Sequence, residues 1–202
     1  MQVNTCILEN VMDKTSKKII DTMMEIILER GYTGATTKDI AERAGINECT
    51  IFRKFKEKKE IVIAGMELPQ YRPNITSETF ADIKWDIESD LKMFMENYMK
   101  EVTPQFVRLS IGLRSPQIYP QTAPLIMDIP QTFLHSLTDY LCEMKKRGKI
   151  KDIDCDAVAA SILSATFGFT FLSASFGNDL FDLERVKYID STVKSIIGGI
   201  AL

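Results

Sequence analysis

The segment GINECTIFRKF, residues 45–55, concentrates residue types that recognise nucleic acid. Gly45 and Asn47 are signals for the end of one helix and the start of the next, and the short run that follows ends in Arg53 and Lys54. Arginine and lysine donate hydrogen bonds to phosphate oxygens and to guanine, and short polar side chains reach other base edges. The chemistry that this segment offers is therefore recognition of DNA.

The charge of the chain is distributed unevenly. The formal net charge is -3 at pH 7, but residues 14–59 contain 11 Lys and Arg against seven Asp and Glu, and the remaining residues contain 14 against 21. A basic N-terminal part and an acidic remainder indicate two different tasks. Chance clustering of solvated charges would produce the same asymmetry, so the charge supports recognition of DNA without establishing it.

No catalytic or metal-binding constellation is evident in the sequence. The single histidine, His135, has no nucleophile pattern beside it, so we expect a surface histidine or a satisfied core histidine. An enzyme built on the C-terminal residues is the alternative from another class, but neither metal-ligand spacing nor a Gly-rich phosphate loop supports it. We predict no enzymatic activity, no metal and no cofactor. The cysteines show no CxxC pairing and are expected to be free thiols in a reducing cytoplasm: Cys6, Cys49, Cys142 and Cys155.

The composition, with 45% hydrophobic and 26% charged residues, is that of an ordinary globular protein. No uninterrupted apolar run approaches the ~20 residues that a membrane-spanning helix needs. The N-terminal residues MQVNTCILENVMDK have no basic region before their apolar residues, which argues against a secretory signal. We therefore expect a cytoplasmic protein without membrane contact.

Short helices and a supporting helix must position the recognition segment. Residues 16–30 place apolar side chains on one face of a helix, with Ser16 as its cap and Gly31 as its end. Thr36 and Asp39 have the spacing of a capping box. This spacing predicts a second, short helix with the sequence TKDIAERA.

The third helix is expected to begin after Asn47. In it Ile51, Phe52 and Phe55 are expected to form the inner stripe, whereas the charged residues fall on the other side. Two short helices joined by a turn of three to four residues, after a supporting helix, are the layout of a helix-turn-helix.

The rest of the chain also has helical periodicity. A fourth helix is expected from Lys58 to about Leu68. Because convincing alternating strands are missing, the predicted fold class is all-α. Further helices are expected over residues 78–102, 105–114, 125–147, 156–176 and 183–200, with RSPQIYPQTAP as a proline-punctuated loop.

The predicted helix over residues 156–176 has no charged face. Such a helix must be buried on most sides, either at the centre of its domain or with one side covered by another subunit. A stripe of small residues along it would let a partner helix approach closely. The predicted dimer interface combines this stripe with apolar residues of the last helix: Ala157, Ser161, Ser164, Gly168, Val193, Ile196 and Ile197.

The N-terminal segment resembles the TetR family of transcriptional regulators. The resemblance implies a three-helix helix-turn-helix DNA-binding domain over residues 1–60, and a helical ligand-binding and dimerisation domain over residues 61–202. It also implies a homodimer that represses transcription until a small molecule releases it. The matching elements, at fixed spacing over about 45 residues, are Gly31-Tyr32, Thr36-Thr37, Ile40-Ala41, Ala44-Gly45, Thr50-Ile51-Phe52, Phe55, Lys58 and Ile61.

Carried over position by position, the resemblance implies a set of DNA contacts. Thr36 and Thr37 would bind a backbone phosphate, although Thr36 is also explained as a helix cap alone. Arg53 would read guanine or hold a phosphate, and Lys58 would hold a phosphate or remain a solvated lysine. The complete predicted set is Thr36, Thr37, Asn47, Glu48, Cys49, Thr50, Phe52, Arg53, Lys54 and Lys58.

Two positions depart from the family's pattern. The family very often has tyrosine where Phe52 stands, so a hydroxyl bond to a phosphate is absent here. It often has a small residue, commonly glycine, where Cys49 stands. The Cys49 thiol would pack on a thymine methyl or act as a redox-sensitive point, and the adjacent Glu48 disfavours the redox role because reactive thiols need positive neighbours.

Aromatic residues of the C-terminal part are candidates for an apolar ligand pocket or for the core alone, and the ten methionines point to adaptable packing. The predicted function is a ligand-responsive repressor that binds a pseudo-palindromic double-stranded DNA operator as a homodimer and is released by a small hydrophobic molecule. The alternative is a dimeric DNA-binding factor without an inducer. The pocket candidates are Trp85, Phe94, Tyr98, Phe106, Phe133 and Phe167.

Overall fold

Helical periodicity governs the chain as the sequence predicts. The structure, a computed structural model, describes residues 12–180 and 182–201. Within these residues the regular elements are helices, and the one antiparallel bridge joins Ile150 and Ala201. The prediction of an all-α fold is confirmed.

The described residues form two compact units. The first contains the residues up to Pro73 together with Gln105–Ile126. The second contains Asn74–Pro104 together with the residues from Met127 onward. A stretch from the middle of the chain is therefore part of the N-terminal unit.

Four N-terminal helices build most of the first unit. The supporting helix, the helix TKDIAERA and the third helix are all confirmed, whereas the fourth helix ends before the predicted Leu68. The first helix packs against the second and the fourth. The helices are α1, Lys14–Arg30; α2, Thr37–Ala44; α3, Glu48–Lys54; and α4, Lys58–Met66.

The start of α1 differs from the prediction. Asp13, not Ser16, is the N-cap, and its carboxylate accepts hydrogen bonds from the backbone N–H groups of Thr15 and Ser16. The Ser16 hydroxyl donates to the same carboxylate at 2.6 Å and is buried. The carboxylate offers two acceptor oxygens to the free N–H groups, so it outcompetes a hydroxyl one turn further on.

The middle of the chain forms α6, Pro104–Gly112, and α7, Tyr119–Lys146. The prediction of a loop over RSPQIYPQTAP is wrong for its second half. This half is helical, because α7 begins at Tyr119 and includes the two prolines of that half. Pro120 lies in the first turn, where a missing N–H removes no intrahelical hydrogen bond. Pro124 and Pro130 lie further along the helix. The buried apolar face of α7 stabilises the helix despite these two prolines.

The end of α6 is fixed to the turn between α1 and α2. The Tyr32 backbone N–H donates to the Gly112 carbonyl at 3.0 Å, and the Thr33 hydroxyl donates to the Ser115 hydroxyl at 3.2 Å. A Cβ atom at Gly112 would lie 2.9 Å from atoms of Ile27, closer than side chains tolerate. Glycine at this position therefore permits the close approach of the two helices.

The second unit contains the remaining helices. A 3₁₀ helix, Ser77–Phe80, precedes them. The N-terminal α-helix of this unit packs against the two C-terminal ones. The α-helices that complete the fold are α5, Ile87–Glu101; α8, Cys155–Phe176; and α9, Arg185–Ile200, together with the C-terminal part of α7.

The predicted helix over residues 78–102 is shorter in the structure. Trp85 has a φ of 60°, in the left-handed region that interrupts a right-handed helix. The buried Asp90 carboxylate accepts hydrogen bonds from the Lys84 backbone N–H and from the Tyr140 hydroxyl, both at 2.9 Å. These contacts hold the segment before α5 in an irregular conformation that the apolar periodicity did not reveal.

The surface of α8 is less buried than its sequence predicts. Only 22% of its most apolar 18-residue window is buried, so the prediction of a helix central to its own domain is wrong. Its length and composition alone would also suit a membrane-spanning helix, a test that core helices pass as well. The side of α8 that carries Ile162 and Thr166 is fully buried. The exposed side carries Ala157, Ala160, Ser161, Ser164, Phe167 and Ser175.

Candidate functional site

The recognition segment presents its polar residues outward from α3. Asn47 caps the helix, because its side-chain oxygen accepts a hydrogen bond from the Cys49 backbone N–H at 2.8 Å. Ile51 is buried and holds α3 to the core of the first unit. The residues that remain exposed or half-buried are Glu48, Cys49, Thr50, Phe52, Arg53 and Lys54.

The prediction for Phe52 is corrected in one respect. Phe52 was expected on the inner stripe of α3 beside Ile51 and Phe55, but its side chain is 53% exposed. A seven-residue helix has room for a narrow buried face only, and Ile51 occupies that face. The structure therefore places Phe52 among the outward residues, where it was also predicted to contact DNA.

The turn between α2 and α3 has the geometry that the sequence predicts. Gly45 has φ 60° and ψ 42°, the left-handed conformation that glycine adopts without a steric penalty. The Ile46 backbone N–H donates to the Ala41 carbonyl at 3.0 Å, which satisfies an end of α2. This closure sets the angle at which α3 leaves α2.

The start of α2 forms the predicted capping box. The Asp39 backbone N–H donates to the Thr36 hydroxyl oxygen, and the Thr36 backbone N–H donates to the Asp39 carboxylate, both at 3.1 Å. The Thr36 hydroxyl also donates to Asp39, and this hydrogen bond is the largest cause that lowers the pKa of the carboxyl. Thr36 is exposed and Thr37 is half-buried, so the capping role is confirmed and the phosphate role remains a prediction.

The three predicted cations of the site have different surroundings. Among the described residues Arg53 has no ion-pair or hydrogen-bond partner. The Lys54 ammonium lies 3.0 Å from the Asp13 carboxylate. The pKa of Asp13 is held well below its usual range, first by the Ser16 hydroxyl and then by Lys54. Of this pair on α3, Arg53 is therefore the cation already available to DNA.

Lys58 supports the turn that follows α1. Its ammonium donates to the carbonyls of Tyr32 at 3.0 Å and Ala35 at 2.8 Å, and it lies 4.0 Å from the centre of the Tyr32 ring. Burial lowers the pKa of Lys58. The structure thus assigns Lys58 a structural role that neither reading of the sequence contained. A lysine ammonium has three donors, so one remains for the predicted phosphate.

Basic residues at the start of α1 were missed by the site prediction. Lys14, Lys17 and Lys18 line a shallow depression together with Arg43, and its lining also includes Asp21, Thr22 and Glu25. Within the described part of the chain the three lysines have no ion-pair partner, whereas Arg43 forms a two-pronged pair with Glu29 at 2.6 and 2.8 Å. The sequence signal was the run KTSKK. Only the Asp13–Lys54 contact shows that this run lies beside the end of α3.

The aromatic residues predicted to line a ligand pocket do not converge. Phe94, Tyr98 and Phe133 are fully buried and pack on one another, with ring centroids 5.0 to 6.0 Å apart along this cluster. Phe106 belongs to the first unit, and Phe167 lies 41% exposed on α8. Trp85 stacks on the Tyr140 ring at 6.0 Å and on the Arg147 guanidinium at 3.5 Å. Their role as pocket residues stays a prediction.

A cavity of about 360 Å³ lies elsewhere in the second unit, between the ends of α5 and α8 and the start of α9. Its wall is built from other side chains, among them Phe169 and Arg185. In the described part of the chain no three His, Cys, Asp or Glu side chains are grouped to hold a metal ion. By its volume and lining, this cavity is a candidate site for a small organic molecule.

The residues predicted for the dimer interface separate into two groups. Ala157, Ser161 and Ser164 are exposed on α8, and Gly168 is half-buried beside them. Val193 is fully buried within the single chain, so its side chain is not exposed on the face predicted for the interface. The two other residues of α9 are half-buried: Ile196 and Ile197.

The described cysteines and the histidine have different surroundings. Cys49 is exposed, and Cys6 lies outside the described residues. Burial raises the pKa of the Cys155 thiol to about 11, assisted by a hydrogen bond with Cys142, which keeps this thiol protonated at neutral pH. His135 is exposed, which agrees with the expectation of a surface histidine and not with that of a core histidine.

Two short helices, α2 and α3, are joined by the Gly45 turn, and α2 packs on the supporting helix α1. This is the layout of the helix-turn-helix class of DNA-binding proteins. Residues 19–64 match the model of the bacterial regulatory proteins, tetR family. The resemblance of the helix-turn-helix to the TetR family of transcriptional regulators is thereby confirmed.

The similarity extends beyond the helix-turn-helix. The chain is 28% identical over 191 residues to YvkB, an HTH-type transcriptional regulator of Bacillus subtilis (strain 168). This alignment covers 94% of this chain and 99% of YvkB. The chain is also 25% identical over 177 residues to IcaR, the HTH-type negative transcriptional regulator of the biofilm operon icaADBC in Staphylococcus aureus (strain Newman). That alignment covers 84% of this chain and 89% of IcaR.

The fold is similar to that of NalD, the secondary repressor of the MexAB-OprM multidrug efflux pump in Pseudomonas aeruginosa. The TM-score is 0.67 at 13% sequence identity, and the match covers 93% of this chain and 97% of the NalD chain. The likeness therefore extends to the helices that follow the DNA-binding unit.

Proposed function

We propose that the chain is a homodimeric repressor that binds a pseudo-palindromic operator and is released by a small molecule. DNA binding would reside in residues 1–60, and ligand binding and dimerisation in residues 61–202. The observation that carries the proposal is the outward presentation of α3, with Arg53 unpaired among the described residues and three free lysines beside the helix. The similarity to IcaR, a negative transcriptional regulator, supports repression over activation.

The proposed contacts divide into base reading and phosphate binding. Arg53 is suited to base edges in the major groove, because Arg pairs with guanine. Asn47 offers its side-chain amide N–H groups, since its side-chain oxygen already caps α3. Phe52, 53% exposed and without a hydroxyl, offers an apolar contact to a thymine methyl. The lysines at the start of α1 would bind backbone phosphates and make the affinity dependent on salt. Thr36, Thr37, Lys54 and Lys58 would add phosphate contacts at the two edges of α3.

Dimerisation is proposed through the exposed side of α8. Its side chains are small, and the Ser161 and Ser164 hydroxyls donate to carbonyls of their own helix, so these two groups need no partner from a second subunit. A second copy of α8 would cover the Phe167 and Phe171 rings, which stack on each other at 5.8 Å. Two-fold symmetry then requires two half-sites about 34 Å apart or somewhat more.

Release by a ligand requires two states of the dimer with different affinities for DNA. A ligand shifts the equilibrium only by its differential affinity for these states. The second candidate, a dimeric factor without a small-molecule inducer, gives the same DNA binding but no ligand dependence. In either case the protein would act in the cytoplasm, where the DNA is, without enzymatic activity.

The test is a binding titration with DNA from upstream of the chain's own gene, followed by fluorescence anisotropy at several salt concentrations. Arg53→Ala is expected to weaken binding by about 10- to 100-fold, the usual range for a lost base contact. Lys151→Ala, a change of an exposed lysine in the second unit, is the matched control and should bind like the wild type. If no sequence is bound more tightly than random DNA at any salt concentration, the proposed function is wrong.

A further inference from the structure

The cavity between α5, α8 and α9 has an apolar floor. Met99, Val102 and Phe169 line it and are each at most 9% exposed. The Phe169 ring is held in place by stacking on Tyr188, with centroids 4.1 Å apart. With a volume of about 360 Å³, the cavity falls at the lower end of the range of small-molecule sites. The floor is thus a preformed surface for an apolar group of modest size.

The rim of the cavity carries a cation. Arg185, the first residue of α9, lines the opening together with Leu183, and both side chains are exposed. Arg185 has no ion-pair or hydrogen-bond partner among the described residues, and no Asp or Glu belongs to the lining. A guanidinium that is not neutralised favours a planar anion such as a carboxylate, which it binds through two parallel hydrogen bonds.

Hydroxyl groups lie between the floor and the rim. The Thr170 hydroxyl donates to the Thr166 carbonyl at 2.8 Å and keeps its oxygen available as an acceptor. The Ser173 hydroxyl, also in the lining, has no hydrogen-bond partner among the residues that the structure describes. The lining therefore combines apolar, hydroxyl and cationic side chains.

We propose that this cavity binds an amphipathic carboxylate, with its apolar part on Phe169 and its head group on Arg185. The proposal deepens the ligand dependence of the proposed function and rests on that function only for its effect on DNA binding. A purely apolar ligand would bury the same floor but leave the guanidinium without a partner. A cationic amphiphile would place like charges together at the rim, which is unfavourable.

The test uses the full chain and two pairs of probes, each a carboxylate with its matching alcohol: decanoate with 1-decanol, and 2-naphthoate with 2-naphthalenemethanol. Isothermal titration calorimetry without DNA is expected to show at least tenfold tighter binding of the carboxylate in one or both pairs. Arg185→Gln is expected to remove that preference while the alcohol binds as before. A wild-type protein that binds neither carboxylate, or binds each no better than its alcohol, overturns the proposal.

Lys187→Gln is the matched control, because Lys187 lies in the same first turn of α9, is exposed and does not line the cavity. It should retain the preference for the carboxylate, and a loss equal to that of Arg185→Gln would contradict the proposed site. Leu183→Gln, at the rim, should weaken the carboxylate and the alcohol alike, since both would bury their apolar part beside it.

A separate titration of operator DNA, with and without the carboxylate, keeps the two proposals distinguishable. Binding of the carboxylate without any change in DNA affinity would support the site and contradict ligand-controlled release. DNA binding that persists in a protein that takes up no carboxylate would support the DNA-binding function and overturn the site.

Discussion

The Lys54 ammonium lies 3.0 Å from the carboxylate of Asp13, the residue that caps α1. This ion pair joins the last residue of α3 to the first turn of the supporting helix, although 41 positions separate the two residues in sequence. A phosphate that approaches Lys54 must compete with Asp13 for the same ammonium. The pair therefore orients α3. It also reduces the free energy that a phosphate contact with Lys54 would add to DNA binding.

Replacement of Asp13 by Asn is predicted to strengthen DNA binding. Asparagine caps a helix about as well as aspartate, so α1 remains capped, while Lys54 becomes free and one negative charge is removed. We expect affinity for operator DNA to rise by roughly two- to fivefold at low salt, as befits a surface ion pair. Anisotropy titrations of both proteins measure this change. An unchanged or weaker affinity would show that Lys54 does not reach DNA.

Acid is predicted to destabilise the start of α2 through Asp39. The Thr36 hydrogen bonds lower the pKa of the Asp39 carboxyl in the folded state below its usual value of 3.8. The stability that this carboxylate contributes is therefore present above about pH 4 and is lost as the pH falls through the folded-state pKa. Asp39→Asn cannot titrate and should show a smaller loss of stability between pH 5 and pH 2.5, measured by urea unfolding. Equal losses in both proteins would contradict the role of Asp39.

Lys58→Met is predicted to destabilise the first unit. Methionine keeps most of the apolar stem but loses the hydrogen bonds to the Tyr32 and Ala35 carbonyls. We expect a loss of about 1–2 kcal/mol in the free energy of unfolding, the range for hydrogen bonds to a charged group at a partly exposed site. Lys59→Met is the control, since the ion pair of Lys59 among the described residues is with Glu57 at the surface. If Lys58→Met weakens DNA binding without loss of stability, Lys58 acts on phosphate alone.

Ser164→Arg is predicted to convert the dimer to a monomer. The substitution places a long charged side chain on the exposed, small-residue side of α8, where two copies of the helix would meet. Analytical ultracentrifugation should show the molecular mass of one chain, and operator affinity should fall more than 10-fold because the two half-sites are no longer bound together. Glu96→Arg, on an exposed position of α5, should leave the dimer intact. A dimeric Ser164→Arg protein would exclude this side of α8 as the interface.

The recognition segment could be predicted from the sequence because its determinants are local. Asn47 and Thr36 cap helices through hydrogen bonds that span two or three residues, and Gly45 supplies the left-handed turn between them. Such signals depend on side-chain chemistry and spacing alone. The same holds for the all-α class, which follows from periodicity along the chain.

The sequence-based predictions failed where the structure depends on contacts between residues that are distant in sequence. The helix over residues 78–102 is shortened because Asp90 accepts a hydrogen bond from Tyr140, 50 positions away, and from Lys84, in the irregular segment before α5. Val193 was assigned to the dimer interface among the apolar residues of the last helix, but it is fully buried within the chain. Periodicity defines an apolar face without identifying the partner that covers it.

The sequence by itself determined the all-α class, the helix-turn-helix and the outward identity of Arg53 and Cys49, because caps, turns and periodicity act over a few residues. Tertiary structure alone decided that Lys54 is paired with Asp13, that Lys58 supports the Tyr32–Ala35 turn, and that Arg185 faces a cavity floored by Phe169. These relationships join residues distant in sequence, and their partners are fixed only when helices pack. The positions of the residues proposed to contact DNA were thus set by local signals, whereas the partners that engage Lys54 and Lys58 were set by the packing of the helices.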